Sequence, residues 1–145
     1  MNIDLLTVES TRTAIAQKQV TATRVVEEFY KKIRTEDQEI HAYLTLCEER
    51  ALQRASRIDE IAGKGDPLPP LAGVPLAIKD VMVTKGLRST AGSKILENFV
   101  PPYDCTAVAR LESGRDSIRA TGHHGRRHRE RDQWRAVRSY RLHRE

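Results

Sequence analysis

The chain has 145 residues, of which 39% are hydrophobic and 5% aromatic, and its formal net charge is +5. This length allows one ordinary domain, but the small supply of core-forming side chains predicts an incomplete one. No apolar run approaches the roughly 18 residues of a membrane span, and MNIDLLTVES lacks the basic flank and apolar core of a secretory signal, so we expect a cytoplasmic protein with no membrane partner.

Positive charge is concentrated at the C-terminal end. Residues 1–114 carry 15 Lys and Arg against 16 Asp and Glu, whereas residues 115–145 carry 10 Arg against 4 acidic residues. No lysine occurs after Lys94, and four of the five histidines lie in the C-terminal segment. The sequence therefore predicts an N-terminal part of a domain over 1–114 and an Arg/His-rich tail over 115–145.

Three helices and one strand are predicted before the middle of the chain. Thr7 and Thr21 can cap the first and second helices. The alternation in HAYLTLC (41–47) predicts a half-buried strand, and a third helix should then end at Gly63 or Gly65. The second helix carries apolar residues at helical spacing, namely Ala22, Val25, Val26, Phe29, Tyr30 and Ile33.

A buried strand and a long loop are predicted next. LAGVPLAIKD (71–80) is an apolar run typical of a strand buried on both faces, and Lys79 closes it. The stretch VTKGLRSTAGSKILENFVPPYD (83–104) is rich in Gly, Ser and Thr, which predicts a loop that lines a site. Asp104 can cap a further helix. This order predicts an α/β fold in which the helices form a layer and the strands enter a mixed sheet.

Lys79 is the first candidate functional residue, because a solvated ammonium has no natural place at the end of a buried strand. Burial disfavours the charged form of a lysine, so a sheltered amine can be neutral and can act as a general base. The alternative is a side chain that extends to water and has no chemical role. When the flanking motif is left aside, a lysine at the end of a strand more often extends to water than takes part in catalysis.

Several motifs resemble the amidase signature family. PLAGVPLAIKD (70–80) is similar to the motif that marks this family, and SKILENFVPPYD (93–104) is similar to the A subunits of tRNA-dependent amidotransferases within it. KQVTATRVVEEFYKKI (18–33) fits the same subunits. The resemblance covers about residues 3–113 and is lost after about Gly114. It implies that residues 1–114 are the N-terminal helices and first strands of a mixed-sheet amidase signature fold, in truncated form.

The resemblance implies a Ser, cis-Ser, Lys triad in which Lys79 is the catalytic lysine. In the family this lysine accepts a proton through the bridging serine, the other serine attacks a carboxamide, and ammonia leaves as the acyl-enzyme forms. For the A subunits the carboxamide is that of glutamine. Both serines belong to a downstream Gly/Ser-rich segment that this chain lacks. We therefore expect the chain as given to be inactive.

The resemblance also implies partners and cofactors. Such a subunit forms a complex with the other two subunits of the amidotransferase and needs no cofactor of its own. One of these partners uses ATP and Mg, together with the ammonia from glutamine, to convert Glu-tRNA(Gln) or Asp-tRNA(Asn) for translation. Transfer RNA is therefore an indirect partner.

The small residues of STAGS are secondary candidates. Ser89, Thr90 and Ser93 match a family stretch that lines the substrate site, which implies substrate contact and does not imply a nucleophile. The alternative is hydrogen bonding within the loop. Cys47 and Cys105 stand in no metal or redox spacing, so we interpret them as reduced thiols without a functional signal.

Three interpretations of residues 115–145 remain open. The abrupt loss of family pattern, lysine and periodicity favours a frameshifted or mispredicted reading frame, which predicts a disordered tail. Ten arginines with Trp134 and Tyr140 could instead form an RNA-binding arm, so the alternative function is a noncatalytic interaction or RNA-binding fragment. A metal site at His124 and His128 is disfavoured because arginines surround the pair, and we expect no metal.

Overall fold

The computed structural model describes residues 3–113 and 123–124. Its elements in chain order are a 3₁₀ turn (Ile3–Leu5), α1 (Val8–Ala16), α2 (Ala22–Ile40), α3 (Glu48–Lys64), β1 (Ile78–Lys79), a second 3₁₀ turn (Lys94–Leu96), α4 (Thr106–Ser113) and β2 (His123–His124). Residues 1–2, 114–122 and 125–145 lie outside the described residues, and so do the predictions of disorder and RNA binding made for the tail (115–145).

The predicted helix starts are confirmed by their hydrogen bonds. The Thr7 hydroxyl accepts the N–H of Ser10 at 3.0 Å, and the Ser10 hydroxyl accepts the N–H of Thr7 at 2.9 Å, a reciprocal capping box. The Thr21 hydroxyl accepts the N–H of Arg24 at 3.1 Å. At the other end of the layer, Gly65 follows α3 with φ +79°, the left-handed conformation that favours glycine at a helix C-terminus.

The core lies between α2 and α3, with α1 and the loop before β1 at its margin. Three alanines on the inner face of α3 are buried and allow the two helices to approach closely. Partly buried Val20, Leu52 and Leu68 pack around this core. The buried core residues are Ile15, Ala22, Val26, Tyr30, Ala51, Ala55, Ile58, Ala62 and Ala72.

A carboxylate on α3 also caps α2. Asp59 accepts the N–H of Ala22 at 2.6 Å, the N–H of Thr23 at 3.1 Å and the hydroxyl of Thr23 at 2.7 Å. These N–H groups at the start of a helix have no partner inside it. The cap therefore ties the beginning of α2 to the middle of α3.

Gly73 brings the loop before β1 against α1. Its φ is +75°, and a Cβ at this position would collide with Cδ1 of Ile15. Only glycine meets both conditions without strain.

The predicted strand over 41–47 is wrong. α2 continues to Ile40, His41 takes the left-handed φ of +50°, and the Asp37 carboxylate accepts the N–H groups of Ala42 at 2.6 Å and Tyr43 at 3.3 Å. These bonds turn the chain just where the alternation suggests an extended segment. Within the described residues the segment forms only an isolated bridge at Tyr43.

The strand predicted to end at Lys79 is present but short. β1 comprises Ile78 and Lys79, which pair in parallel with His123 and His124 of β2. The described sheet therefore has two strands, and most of the polypeptide between α3 and α4 is irregular. No helix among the described residues combines the length and the apolar character needed to cross a membrane.

Candidate active site

Lys79 lies at the end of β1, and its main chain is held on both sides. The preceding Ile78 is 4% exposed and the following Asp80 is 2% exposed, while the Lys79 side chain is exposed. The carbonyl of Lys79 accepts the N–H of Met82 at 2.8 Å. The neighbours thus fix the backbone from which the lysine projects.

The expected shelter around the Lys79 amine is not found in the described part of the chain. Successive residues of a strand face opposite sides, and here the inward positions belong to Ile78 and Asp80. Lys79 is exposed, so no other described segment covers its side chain on that face of β1. The catalytic role of Lys79 remains a prediction.

Asp80 is the functional candidate that the sequence interpretation misses. Its Oδ1 accepts the N–H of Thr90 at 2.8 Å, and its Oδ2 accepts the Thr90 hydroxyl and the N–H of Gly92 at 3.3 Å. A buried carboxylate needs such donors, because burial without them is costly. The available signal is an acidic residue directly after a buried run, ten residues before a Thr- and Gly-containing turn.

The turn held by Asp80 has an uncommon backbone. Ala91 and Gly92 both adopt positive φ, +50° and +71° respectively. Alanine rarely takes this conformation, since its Cβ approaches the following carbonyl. The N–H of Ser93 donates to the carbonyl of Thr90 at 2.8 Å, which closes the turn. The Asp80 carboxylate thus stabilises a conformation that the local sequence disfavours.

The three predicted loop residues lie in one segment near β1 but in different environments. Ser89 is 3% exposed, its N–H donates to the carbonyl of Phe99 at 3.0 Å, and its hydroxyl donates to the carbonyl of Leu87 at 3.3 Å. Thr90 binds Asp80, and Ser93 is half-buried ahead of the second 3₁₀ turn. Substrate contact by these residues remains a prediction.

The base of this loop is closed by further main-chain bonds. The N–H of Gly86 donates to the carbonyl of Pro101 at 3.0 Å, and the N–H of Cys105 donates to the carbonyl of Val83 at 2.8 Å. Asp104 lies two residues before α4, and its carboxylate accepts the N–H of Lys85 at 2.7 Å; capping of α4 by Asp104 stays a prediction. The two ends of the 83–105 segment are therefore joined beside β1.

The described residues contain no group of three or more potential metal ligands. His124 belongs to β2, and its candidate partner His128 lies outside the described residues. Cys47 and Cys105 are free and half-buried.

A family model for amidases matches residues 24–114, which is more than half of the chain. The chain belongs to the amidase family. The match contains both Lys79 and Asp80 and the loop that Asp80 holds. The predicted family is thereby confirmed.

Two proteins similar to this amidase-family chain are both A subunits of glutamyl-tRNA(Gln) amidotransferase. That of Koribacter versatilis is 60% identical over 113 residues, which are 78% of this chain and 24% of that protein. That of Chlamydia trachomatis is 48% identical over 101 residues, covering 70% of this chain and 21% of that protein. The chain thus spans about a quarter or less of the length of these relatives.

Solved structures confirm the fold of this amidase-family chain. A vestigial protein complex that bears on the origins of an s-triazine catabolic enzyme matches with a TM-score of 0.75 and 31% identity, over 81% of this chain and 26% of that chain. A bacterial aryl acylamidase of the amidase signature enzymes matches with a TM-score of 0.74 and 23% identity, over 85% of this chain and 26% of that chain. The predicted α/β amidase signature fold is therefore present, with less strand than expected.

Proposed function

We propose that residues 3–113 are the N-terminal part of a glutamine-hydrolysing A subunit of a tRNA-dependent amidotransferase. The observation that carries this proposal is the 60% identity to such a subunit over 113 residues, a stretch long enough to include Lys79 and its loop. In support, the main chain of Lys79 is held by the N–H of Met82, and the next residue, Asp80, binds a loop of small residues, so the lysine and the loop share one anchored segment.

In the proposed reaction the amine of Lys79 accepts a proton relayed through one serine from a second serine. The second serine's oxygen attacks the carboxamide carbon of glutamine, the C–N bond breaks, and ammonia leaves with a proton returned along the same path. Water then hydrolyses the acyl-enzyme to glutamate. Lys79 is the member of this triad that we assign to the present chain.

The proposal extends to the setting of the reaction. The protein would use no cofactor of its own, would form a complex with two further subunits, and would pass ammonia to one of them. That partner would use ATP and Mg to amidate the misacylated tRNA, and the complex would act in the cytoplasm. Ser89, Thr90 and Ser93 would line the site of the glutamine carboxamide.

We further propose that the 145-residue polypeptide is itself not a glutaminase. Only one triad residue is assigned in it, and the Lys79 side chain is exposed, whereas a lysine that serves as a base needs shelter from water. The alternative function, an interaction or RNA-binding fragment, is favoured by one observation, the 10 arginines of residues 115–145. RNA affinity that falls steeply with salt, and that a chain ending at Gly114 lacks, would support the alternative.

A graft tests the proposed function. Residues 3–113 replace the matching segment of the Koribacter versatilis relative, and ammonia release from glutamine is measured in the assembled enzyme. We expect activity in the graft and a loss of about 10²–10⁴-fold on Lys79→Ala, the usual contribution of a positioned base. Lys94→Ala, a lysine in the nearby 3₁₀ turn, is the matched control and should leave the rate unchanged. An active graft that tolerates Lys79→Ala would contradict the assignment.

A further inference from the structure

We propose that Asp80 is a positioning residue that couples the main chain of Lys79 to the 89–93 loop. Lys79 and Asp80 are consecutive at the end of β1 and serve opposite sides of the backbone. The lysine is exposed, whereas the aspartate is 2% exposed and receives donors from Thr90 and Gly92. The catalytic meaning of this coupling rests on the proposed function, in which Lys79 is the base and the loop lines the amide site.

The bonds of Asp80 join two segments that are ten residues apart in sequence. Both carboxylate oxygens are engaged, Oδ1 by the Thr90 N–H and Oδ2 by the Thr90 hydroxyl and the Gly92 N–H. On the other side, the Lys79 carbonyl is engaged by the N–H of Met82 at 2.8 Å. A shift of the loop must therefore move Asp80, and with it the peptide unit that joins Asp80 to Lys79.

A carboxylate at position 80 matches the hydrogen-bond donors of the 89–93 loop better than an amide would. An ionised aspartate offers only acceptors, and the loop presents two N–H groups and a hydroxyl to it. Asparagine has the same shape but a single carbonyl oxygen, so its NH₂ group must face at least one loop N–H. A donor opposite a donor cannot form a hydrogen bond, so the substitution removes at least one of the three bonds; the Gly92 N–H would keep its contact with the Thr90 hydroxyl at 3.1 Å. The left-handed backbone at Ala91 and Gly92 would then lose one of the contacts that hold it.

Asp59 provides a matched control elsewhere in the same chain. It also accepts two main-chain N–H groups and one threonine hydroxyl, in this case from Ala22 and Thr23 at the start of α2. These three bonds lie within the helical layer, away from the 89–93 loop. Substituting each aspartate by asparagine therefore removes the same kind of contact at two different places.

The test is amide hydrogen exchange, followed by NMR, on the full 145-residue chain. In Asp80→Asn we expect exchange at Thr90, Gly92 and Met82 to accelerate by about 10- to 100-fold relative to the change at Ala22. This factor corresponds to the loss of one charged hydrogen bond. In Asp59→Asn the acceleration should appear at Ala22 and Thr23 and spare the loop. Met82 is the reporter of Lys79, because its N–H binds the Lys79 carbonyl.

Thr90 variants keep the test decisive if Asp80→Asn does not fold. Thr90→Val removes the hydroxyl without changing any charge and should accelerate exchange at Gly92 and Met82, whereas Thr90→Ser retains the hydroxyl and should restore the parent rates. A uniform acceleration at all sites, or an unchanged Met82 rate in both Asp80→Asn and Thr90→Val, would overturn the coupling.

The outcome is separable from that of the proposed function. Exchange at Met82 that responds to Thr90→Val establishes the coupling even if the graft tolerates Lys79→Ala. Conversely, a graft that depends on Lys79 supports the proposed function even if Met82 is insensitive to the loop. The exchange result thus tests only the coupling through Asp80, and the graft result tests only the proposed function.

Discussion

Different interactions stabilise the helical layer (3–64) and the strand-loop region (71–113). In the helical layer the apolar faces of α2 and α3 meet and bury one another, and Ile58 and Tyr30 are completely inaccessible. In the strand-loop region Ile78 and Val108 are buried, but several large apolar side chains face outward, with Val81 57%, Ile95 94% and Val100 55% exposed. Polar anchors, above all Asp80, hold that region in shape.

This contrast shows that the two regions draw on different sources of stability. Burial of apolar surface is the dominant favourable contribution to folding, so we expect most of the free energy of unfolding to come from the helical layer. The strand-loop region contributes a geometry, in which Asp80, directly after Lys79, is bonded to the small-residue loop. Four predictions test or sharpen this division, from the largest expected effect to the smallest.

Truncating the helical core should have the largest effect. Ile58→Ala removes a fully buried side chain from the α2–α3 interface and should lower the free energy of unfolding by about 2–5 kcal/mol. Ile95→Ala, at a 94% exposed position in the strand-loop region, is the control and should change it by less than about 0.5 kcal/mol. Urea unfolding measures both, and similar losses for the two variants would contradict the division.

A side chain at the contact between the two regions should have the next largest effect. Gly73→Ala places a Cβ against Ile15 and forces alanine into a φ of +75°, so we expect a destabilisation of about 2–4 kcal/mol in urea unfolding. Gly63→Ala is the control, because no atom lies within 4 Å of its Cβ position and it lies in α3. That variant should gain about 0.5–1 kcal/mol. A neutral Gly73→Ala would show that the regions do not pack as described.

The ion pair between the regions should contribute modestly. Arg54 on α3 contacts Glu112 on α4, and the two side chains are 24% and 21% exposed. A double-mutant cycle with alanine should give a coupling of about 0.5–1 kcal/mol that weakens in high salt. The Arg24 and Glu28 pair within α2 is the comparison and should give about 0.3–0.5 kcal/mol. A larger coupling within α2 would argue against a tie between the regions.

Tyr30→Phe should have the smallest effect at neutral pH. The hydroxyl of Tyr30 is buried near the backbone of Cys47 but forms no well-aligned hydrogen bond among the described residues, so its loss should cost less than about 0.5 kcal/mol. Burial raises the pKa of the Tyr30 phenol above its ordinary value of 10.0, with smaller contributions from neighbouring ionisable groups.

The raised pKa gives this variant a pH signature. Above pH 10.0 the unfolded chain releases the phenol proton while the folded chain keeps it, so stability from this group is complete below that pH and is lost as the pH rises. Unfolding of the parent protein should therefore become easier above pH 10.0 to a greater extent than unfolding of Tyr30→Phe. Identical pH profiles for the two proteins would contradict the burial of Tyr30.

Local signals in the sequence are sufficient to predict the helices but not the contacts of the candidate site. Thr7, Thr21 and Gly65 mark helix ends through contacts with near neighbours, which a short stretch of sequence contains. The strand predicted over 41–47 is wrong because the Asp37 carboxylate captures the following N–H groups, and alternation in the sequence does not report such a bond.

The site depends on contacts that no local pattern encodes. The apolar run before Lys79 predicts a sheltered amine, but shelter requires other segments to pack over β1. Asp80 is not evident from the sequence because its partners lie ten residues away, at Thr90 and Gly92. The resemblance to a family leads to the prediction for Lys79, whereas the structure is needed to find the carboxylate of Asp80 that holds the 89–93 loop.

We propose that Lys79 can act as a base only together with residues from outside the quarter of the relatives that this chain matches. Ammonia release from glutamine by the purified 145-residue chain, compared with its Lys79→Ala variant, tests this claim most directly. We predict no release above background in either protein. Release by the parent chain that Lys79→Ala abolishes would contradict the claim.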